Sequence, residues 1–328
     1  MLDEKIIRYF RNKKVLVTGG TGLIGRQLVK ILCDGRAKVT IVSLDRIVVD
    51  TRAKYILGDL TNFDFCKKIT KNTDYVFHLA GIKGSAEVTL KKPASFFVPL
   101  LMMNTNVLEA CRINEVKKLV YTSSIGAYAS SEIFKESDES NGEPMDTFPG
   151  WAKRMAELQI KAYKIQYGSE NFSIVRPCNV YGPGDNFDEE NAMVIPSLMA
   201  KVARGDDPVV IWGDGTAVRD FLYSQDAAEG IILALYFGTS GSFVNLGSGK
   251  GYSIKELVET LRSFITFNYK FDKSKPSGFP KRVMDIKLAR KLFKFRPSTS
   301  LKDGLRETWA WFLDNQKEYL RKKNYFYL

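Results

Sequence analysis

The chain has 328 residues, 45% of them hydrophobic, and a formal net charge of +12, which is enough length and apolar content for one large domain or two lobes with a sizeable core. Lys and Arg are spread along the chain instead of gathered in blocks with interleaved aromatics, which argues against a nucleic-acid partner and fits a basic pocket for a multiply charged small anion. Four scattered cysteines, Cys33, Cys66, Cys111 and Cys178, and one histidine, His78, argue against a disulfide framework, a zinc or other histidine-based metal centre and a Ser-His-Asp triad. No apolar run approaches the roughly 20 residues of a membrane span, and the N-terminal MLDEKIIRYFRNKK lacks the apolar centre of a signal peptide. A cytoplasmic protein without a membrane partner is expected.

Over the first two thirds, short β-branched runs (KVLVTG, KVTIVS, YILGD, YVFHLAG, KLVYTSS and FSIVRP) alternate with amphipathic stretches such as LIGRQLVKILCD. This pattern predicts an α/β protein built on a Rossmann-type, doubly wound parallel sheet. Directly after the first strand, Gly19, Gly22 and Gly25 are spaced G-x-x-G-x-x-G, with Leu23 and Ile24 opening the helix that follows. A tight turn needs the first glycine, close approach of backbone N–H groups to a pyrophosphate the second, and helix-to-strand packing the third. A dinucleotide site is expected there. The second strand ends in VTIVSLDR, where Asp45 would accept hydrogen bonds from free ribose hydroxyls and repel a 2′-phosphate, while Arg46 could do the reverse; the cofactor is read as NAD. Asp59 and Leu60 follow the third strand toward the adenine, an ordinary turn aspartate being the plainer reading of Asp59. Leu79 and Ala80, after the fourth strand, complete the expected cofactor set.

From about 179 to 217, and again from about 251, the rhythm lapses into Gly, Pro and Asp turns (NVYGPGDNF, WGDGT, SKPSGFPKR). The expected division is a dinucleotide-binding domain of residues 1–178 and 218–250, and a smaller, discontinuous α/β substrate lobe of residues 179–217 and 251–328. The stretch LKDGLRETWAWFLDNQKEYLRKK reads as a closing helix with a basic end.

These residues resemble the extended short-chain dehydrogenase/reductases that act on nucleotide sugars, and most of all GDP-fucose synthase and its relatives, through AGIKGS, NVYGPGDNFDEENAMVIPSLMAK, WGDGTAVRDF and DKSKPSGFPKRVMD. The resemblance implies that Asn179, Val194, Lys201, Trp212, Arg219 and Lys281 line a nucleotide-diphosphate site. An indole can cover a purine, and Lys and Arg can neutralise a diphosphate. The plainer alternatives are a core Trp212 and an Arg219 paired with Asp220 or Asp226. The resemblance also implies a GDP-linked sugar as substrate, a role in bacterial surface-polysaccharide synthesis, and a homodimer formed by a four-helix bundle from the helices around Ala94 to Arg112 and Trp151 to Tyr167.

The family's catalytic pattern is a Ser or Thr followed by Y-x-x-x-K. Ser124 in YTSSIGAY and Lys153 in GWAKR match it, the serine to hydrogen-bond the reacting sugar oxygen and the lysine to hold the nicotinamide ribose. Four places before Lys153, however, stands Pro149, which has no side-chain proton. The cysteine and histidine that GDP-fucose synthase uses for epimerisation correspond to Gly126 and Met193. Three functions follow from this selective loss. The first is an NAD-dependent dehydrogenase that oxidises a hydroxyl, at C4, of a GDP-linked hexose or heptose. The second is a 4-epimerase with an atypical acid/base such as Lys83, and the third a catalytically silent protein that binds NAD and nucleotide sugar.

Overall fold

A computed structural model describes residues 2–82, 84, 86–138, 142–188 and 191–319; Lys83 falls outside them. The strands, in chain order, are β1 (Lys14–Thr18), β2 (Lys38–Ser43), β3 (Lys54–Leu57), β4 (Tyr75–His78), β5 (Lys118–Thr122), β6 (Ile133–Phe134) and β7 (Phe172–Pro177). They continue with β8 (Asn179–Tyr181), β9 (Val209–Trp212), β10 (Val218–Tyr223), β11 (Phe243–Leu246), β12 (Gly251–Ser253), β13 (Tyr269–Asp272) and β14 (Lys281–Met284). Seven of them form one sheet in the order β11-β7-β5-β4-β1-β2-β3, with every neighbouring pair parallel. The doubly wound expectation is met. After β1 the chain moves one way across the sheet, and after β4 the other, so a crevice opens at the carboxyl ends of β1 and β4, where such sheets bind ligands.

The central strands β1, β4, β5 and β7 are apolar on both faces because helices cover both sides. Helix Leu23–Asp34 buries Leu28, Val29 and Leu32. On the other side, helix Pro93–Ile113 buries Phe96, Leu100, Met103, Val107 and Leu108. Among the described residues this second helix is long and apolar enough to cross a membrane by length and composition alone, which counting unbroken apolar runs overlooked. Its buried side chains join the main core instead. All four cysteines are free and buried.

A smaller lobe carries a second core around Phe187, Leu198, Ile211, Leu257 and Phe312. Its sheet runs β12-β10-β14-β6, with β8 beside β10, while β9 pairs with β13. Residues 218–223 and 133–134, which the expected division assigns to the dinucleotide-binding domain, form β10 and β6 of this smaller sheet. Alternating apolar residues look the same in either sheet, and only the pairing tells them apart.

His78 ends β4 at the bottom of the crevice and is fully buried. Nδ1 lies 2.7 Å from Thr18 Oγ1, and Nε2 lies 3.0 Å from Asn104 Oδ1. Asn104 Nδ2 in turn donates to the Tyr121 hydroxyl at 3.0 Å. Since Asn104 Oδ1 can only accept, Nε2 carries the proton and Nδ1 accepts from Thr18. Burial first, and the Lys153 charge second, push the imidazole pKa down to about 3. A depressed histidine pKa favours the fold at pH above the unfolded value of about 6.5, and that contribution is lost as pH falls toward the folded value. Between pH 6.5 and 5 the loss is about 1.5 kcal/mol. Thermal unfolding of His78→Asn across this interval should therefore depend less steeply on pH than that of the parent protein; equal slopes would show that His78 does not carry this dependence.

Candidate active site

The glycine loop leaves β1 at the sheet's switch point. Gly19 has φ +69°, and a Cβ built on it would lie 2.8 Å from the backbone of Ala80, so the loop packs directly on the segment after β4. A Cβ on Gly25 would lie 2.3 Å from the Gly19 carbonyl oxygen, which is why the helix can start so close to the strand. Gly22 is the N-cap, with no side-chain cap and no acidic residue in the first turn of its helix. The amides of Leu23, Ile24 and Gly25 have no partner within the helix, so the cradle fits the diphosphate of a dinucleotide in both shape and sign. At the end of β2, Asp45 is buried and accepts from Thr21 Oγ1 at 3.1 Å, and Thr21 Oγ1 is 2.8 Å from Ser43 Oγ. Asp59 is exposed and accepts from the Thr61 amide at 2.8 Å, the bond of an ordinary turn aspartate. Leu60 beside it is buried, its carbonyl held by Asn106 Nδ2 at 3.1 Å. Leu79 and Ala80 line the floor, the Ala80 amide donating to Thr18 Oγ1 at 3.3 Å.

Lys153 comes from helix Thr147–Tyr167. Its Nζ donates to the Thr122 carbonyl at 2.7 Å and sits 5.2 Å from the Tyr121 ring centroid. A Cβ on Gly81 would be 3.8 Å from this nitrogen, so Lys153 faces the segment that follows Ala80. Burial lowers its pKa to about 8, partly offset by Glu157. Ser124 caps a short 3-10 turn, its Oγ accepting from the Gly126 amide at 3.0 Å, which leaves its own proton to donate. Pro149 lies in the first turn of the lysine's helix, where an N–H would have no helical partner, so the helix loses nothing by it. Lys153 is thus held against the strand end that precedes Ser124, while the side chain at position 149 offers no proton donor or acceptor.

Trp212 ends β9 with 51% of its surface exposed, so it is not a core residue; Lys275 Nζ lies 5.6 Å from its ring centroid. Arg219 on β10 donates to the carbonyls of Val218 and Phe279 at 2.8 and 2.6 Å. The alternative pairings fail. Asp220 is occupied by the Ser248, Gly249 and Met284 amides, and Asp226 by those of Ser298 and Thr299. Burial and then the neighbouring Arg282 push the Arg219 pKa down to about 10. The register explains this repulsion: β10 and β14 pair Arg219 with Arg282 and Val218 with Lys281, so the two arginines share a face and Lys281 points to the other. Arg282 was missed in the sequence, although the adjacent KR offered both choices. Asn179 Nδ2 donates to the Asp220 carbonyl at 3.0 Å, Lys201 Nζ to the Val210 carbonyl at 2.8 Å, and Val194 opens helix Val194–Arg204 behind its N-cap Met193.

Two guanidiniums side by side without a carboxylate on Arg219 make a ready receptor for a diphosphate. Arg219→Ala and Arg282→Ala should each weaken GDP binding by about 2–5 kcal/mol in a desolvated pocket. Calorimetry showing parental affinity in either variant would remove that arginine from the site.

Residues 15–247 match the family model described as the NAD dependent epimerase/dehydratase family. GDP-L-fucose synthase 1 of Arabidopsis thaliana is 32% identical over 319 residues, covering 93% of this chain and 94% of that protein. Among solved structures, a GDP-L-fucose synthetase from Naegleria fowleri bound to NADP superposes with a TM-score of 0.80 at 29% identity, over 95% of this chain and 96% of that one. MoeE5 in complex with UDP-glucose and NAD gives a TM-score of 0.80 at 26% identity, over 92% of this chain and 99% of that one. The glycine cradle, the parallel sheet and the nucleotide-sugar relatives agree, and the chain belongs to the NAD dependent epimerase/dehydratase family.

Proposed function

We propose that the protein is an NAD-dependent dehydrogenase that oxidises the C4 hydroxyl of a GDP-linked hexose or heptose and performs no isomerisation. The observation that carries this reading is the division within the site. The residues that would hold cofactor and sugar are present, whereas the places expected to handle protons at carbon hold Gly126 and Met193. Oxidation of an alcohol needs a hydride acceptor and one proton acceptor at oxygen; epimerisation beside a ketone needs further proton transfers at carbon. The first asks for fewer proton transfers, and its proton acceptor must come from somewhere other than position 149. Lys83, the acid/base considered for a 4-epimerase, lies outside the described residues.

When bound, the dinucleotide supplies the hydride acceptor. The amides of Leu23, Ile24 and Gly25 would take its diphosphate, Asp45 its adenosine ribose, and Lys153 its nicotinamide ribose. Ser124 would donate to the reacting oxygen of the sugar, with Arg219 and Arg282 anchoring the diphosphate and Trp212 covering the guanine. Much of the rate would come from this positioning. Asp45 favours NAD, since a carboxylate at the end of β2 repels a 2′-phosphate. A homodimer is supported by the apolar residues left exposed on two packed helices: Val98 and Met102 on one, and Leu158, Ile165 and Tyr167 on the other. A second copy covering them would complete a four-helix bundle.

The protein should carry NAD or NADH through purification, recoverable by denaturation and anion-exchange chromatography of the supernatant. Lys153→Ala should lose hydride transfer, whereas Pro149→Tyr should retain it. Recovery of NADP alone would overturn the role of Asp45. A Lys153→Ala variant with parental hydride transfer would overturn the reading of the site.

A further inference from the structure

Asp146 is the N-cap of helix Thr147–Tyr167, yet its side chain makes no capping bond. Aspartate is favoured at that place because its carboxylate accepts from the first-turn amides. Here it turns away from them. A Cβ built on Gly126 would lie 1.9 Å from Asp146 Oδ2, so the carboxylate fills the space that any side chain at position 126 would need. The two backbones meet as well, the Asp146 amide donating to the Gly126 carbonyl at 3.2 Å. Thr147, a β-branched residue held at φ +42°, bends the chain directly after it, a conformation that persists only where the surroundings impose it.

No described residue donates a hydrogen bond to this carboxylate. The nearest cation is Arg282, whose Nη1 stands 3.9 Å from Oδ1, too far for a hydrogen bond. Other titratable groups around the Ser124 turn are committed. Glu157 is bound to Ser123 and Arg176, and the Tyr128 hydroxyl donates to Asn245 Oδ1. Burial raises the Asp146 pKa and Arg282 holds it down, which strengthens the carboxylate as a base. That shift is tempered by exposure, since 45% of the side-chain surface remains open. Asp146 stands three residues before Pro149, directly ahead of the helix that carries Lys153.

We propose that Asp146 takes the proton that a tyrosine at position 149 would have taken. This rests on the dehydrogenase reading above. In the oxidation, the C–H bond of the carbinol carbon breaks and its electron pair leaves with the hydrogen as hydride to the nicotinamide. The O–H bond breaks, its proton passes to Asp146 Oδ2, and its electrons form the C=O bond. The proton then leaves to water through the open side of the carboxyl group. Gly126 is part of the same device, because only a residue without a side chain leaves room for Oδ2.

The test uses the intact, nucleotide-loaded protein and a panel of GDP-hexoses and GDP-heptoses, followed by single-turnover absorbance in the NADH band. Asp146→Asn should slow NADH formation by about 100-fold or more, with bound dinucleotide and calorimetric GDP affinity unchanged. In Asp146→Ala, added sodium formate should restore much of the rate by supplying a carboxylate in the vacated space. Parental rates in Asp146→Asn would overturn the proposal and leave the dehydrogenase reading standing. Loss of GDP affinity in both variants, with no rescue by formate, would assign Asp146 a structural role and overturn it too. If the parent protein formed no NADH with any sugar, both readings would fall together.

Discussion

The site depends on one buried ion pair. Arg176 on β7 is fully buried, and its Nε and Nη2 reach the two carboxylate oxygens of Glu157 at 2.9 and 2.5 Å. Its guanidinium is packed against Tyr128 and Phe243, 4.2 and 3.6 Å from their ring centroids. Glu157 Oε1 also accepts from Ser123 Oγ at 2.5 Å. Ser123 precedes Ser124, and Glu157 lies one helical turn after Lys153. The pair therefore fixes the strand end that carries the serine to the helix that carries the lysine. Such a pair adds little net stability once desolvation is counted, yet breaking it by removing one partner costs about 3–5 kcal/mol. Its value here is that Ser124 and Lys153 cannot drift apart.

The same pair acts on charge. Glu157 partly restores the cationic form of Lys153, which burial alone would suppress further. His78, on the floor of the crevice, stays neutral and bonded to Thr18 and Asn104, so it adds no competing positive charge beside the lysine.

Local signals were legible in the sequence, and pairings were not. The glycine spacing and the apolar run of each strand are contained within a few residues, and the parallel sheet follows from them. Arg176 and Glu157 are 19 residues apart on a strand and a helix, and nothing in FSIVRP or KRMAE announces that they meet. That Arg282 and not Lys281 shares a face with Arg219 depends on the register of β14 against β10. Residues 218–223 were assigned with 218–250 to the dinucleotide-binding domain, and their pairing in the smaller sheet is likewise a matter of register. The role of Asp146 depends on the direction of one carboxylate at a helix cap, and an aspartate there reads in sequence as an ordinary N-cap.

The central claim is that this arrangement oxidises its sugar and stops. The most direct measurement is mass spectrometry of the nucleotide-sugar product after incubating the purified protein, in water enriched in deuterium, with the panel of GDP-sugars and NAD. The account predicts a product lighter than its substrate by one dihydrogen, with no deuterium incorporated at carbon by the protein beyond what the isolated ketone takes up in the same solvent. A product of unchanged elemental composition but altered configuration, or enzyme-dependent deuterium at the carbons flanking the carbonyl, would contradict it.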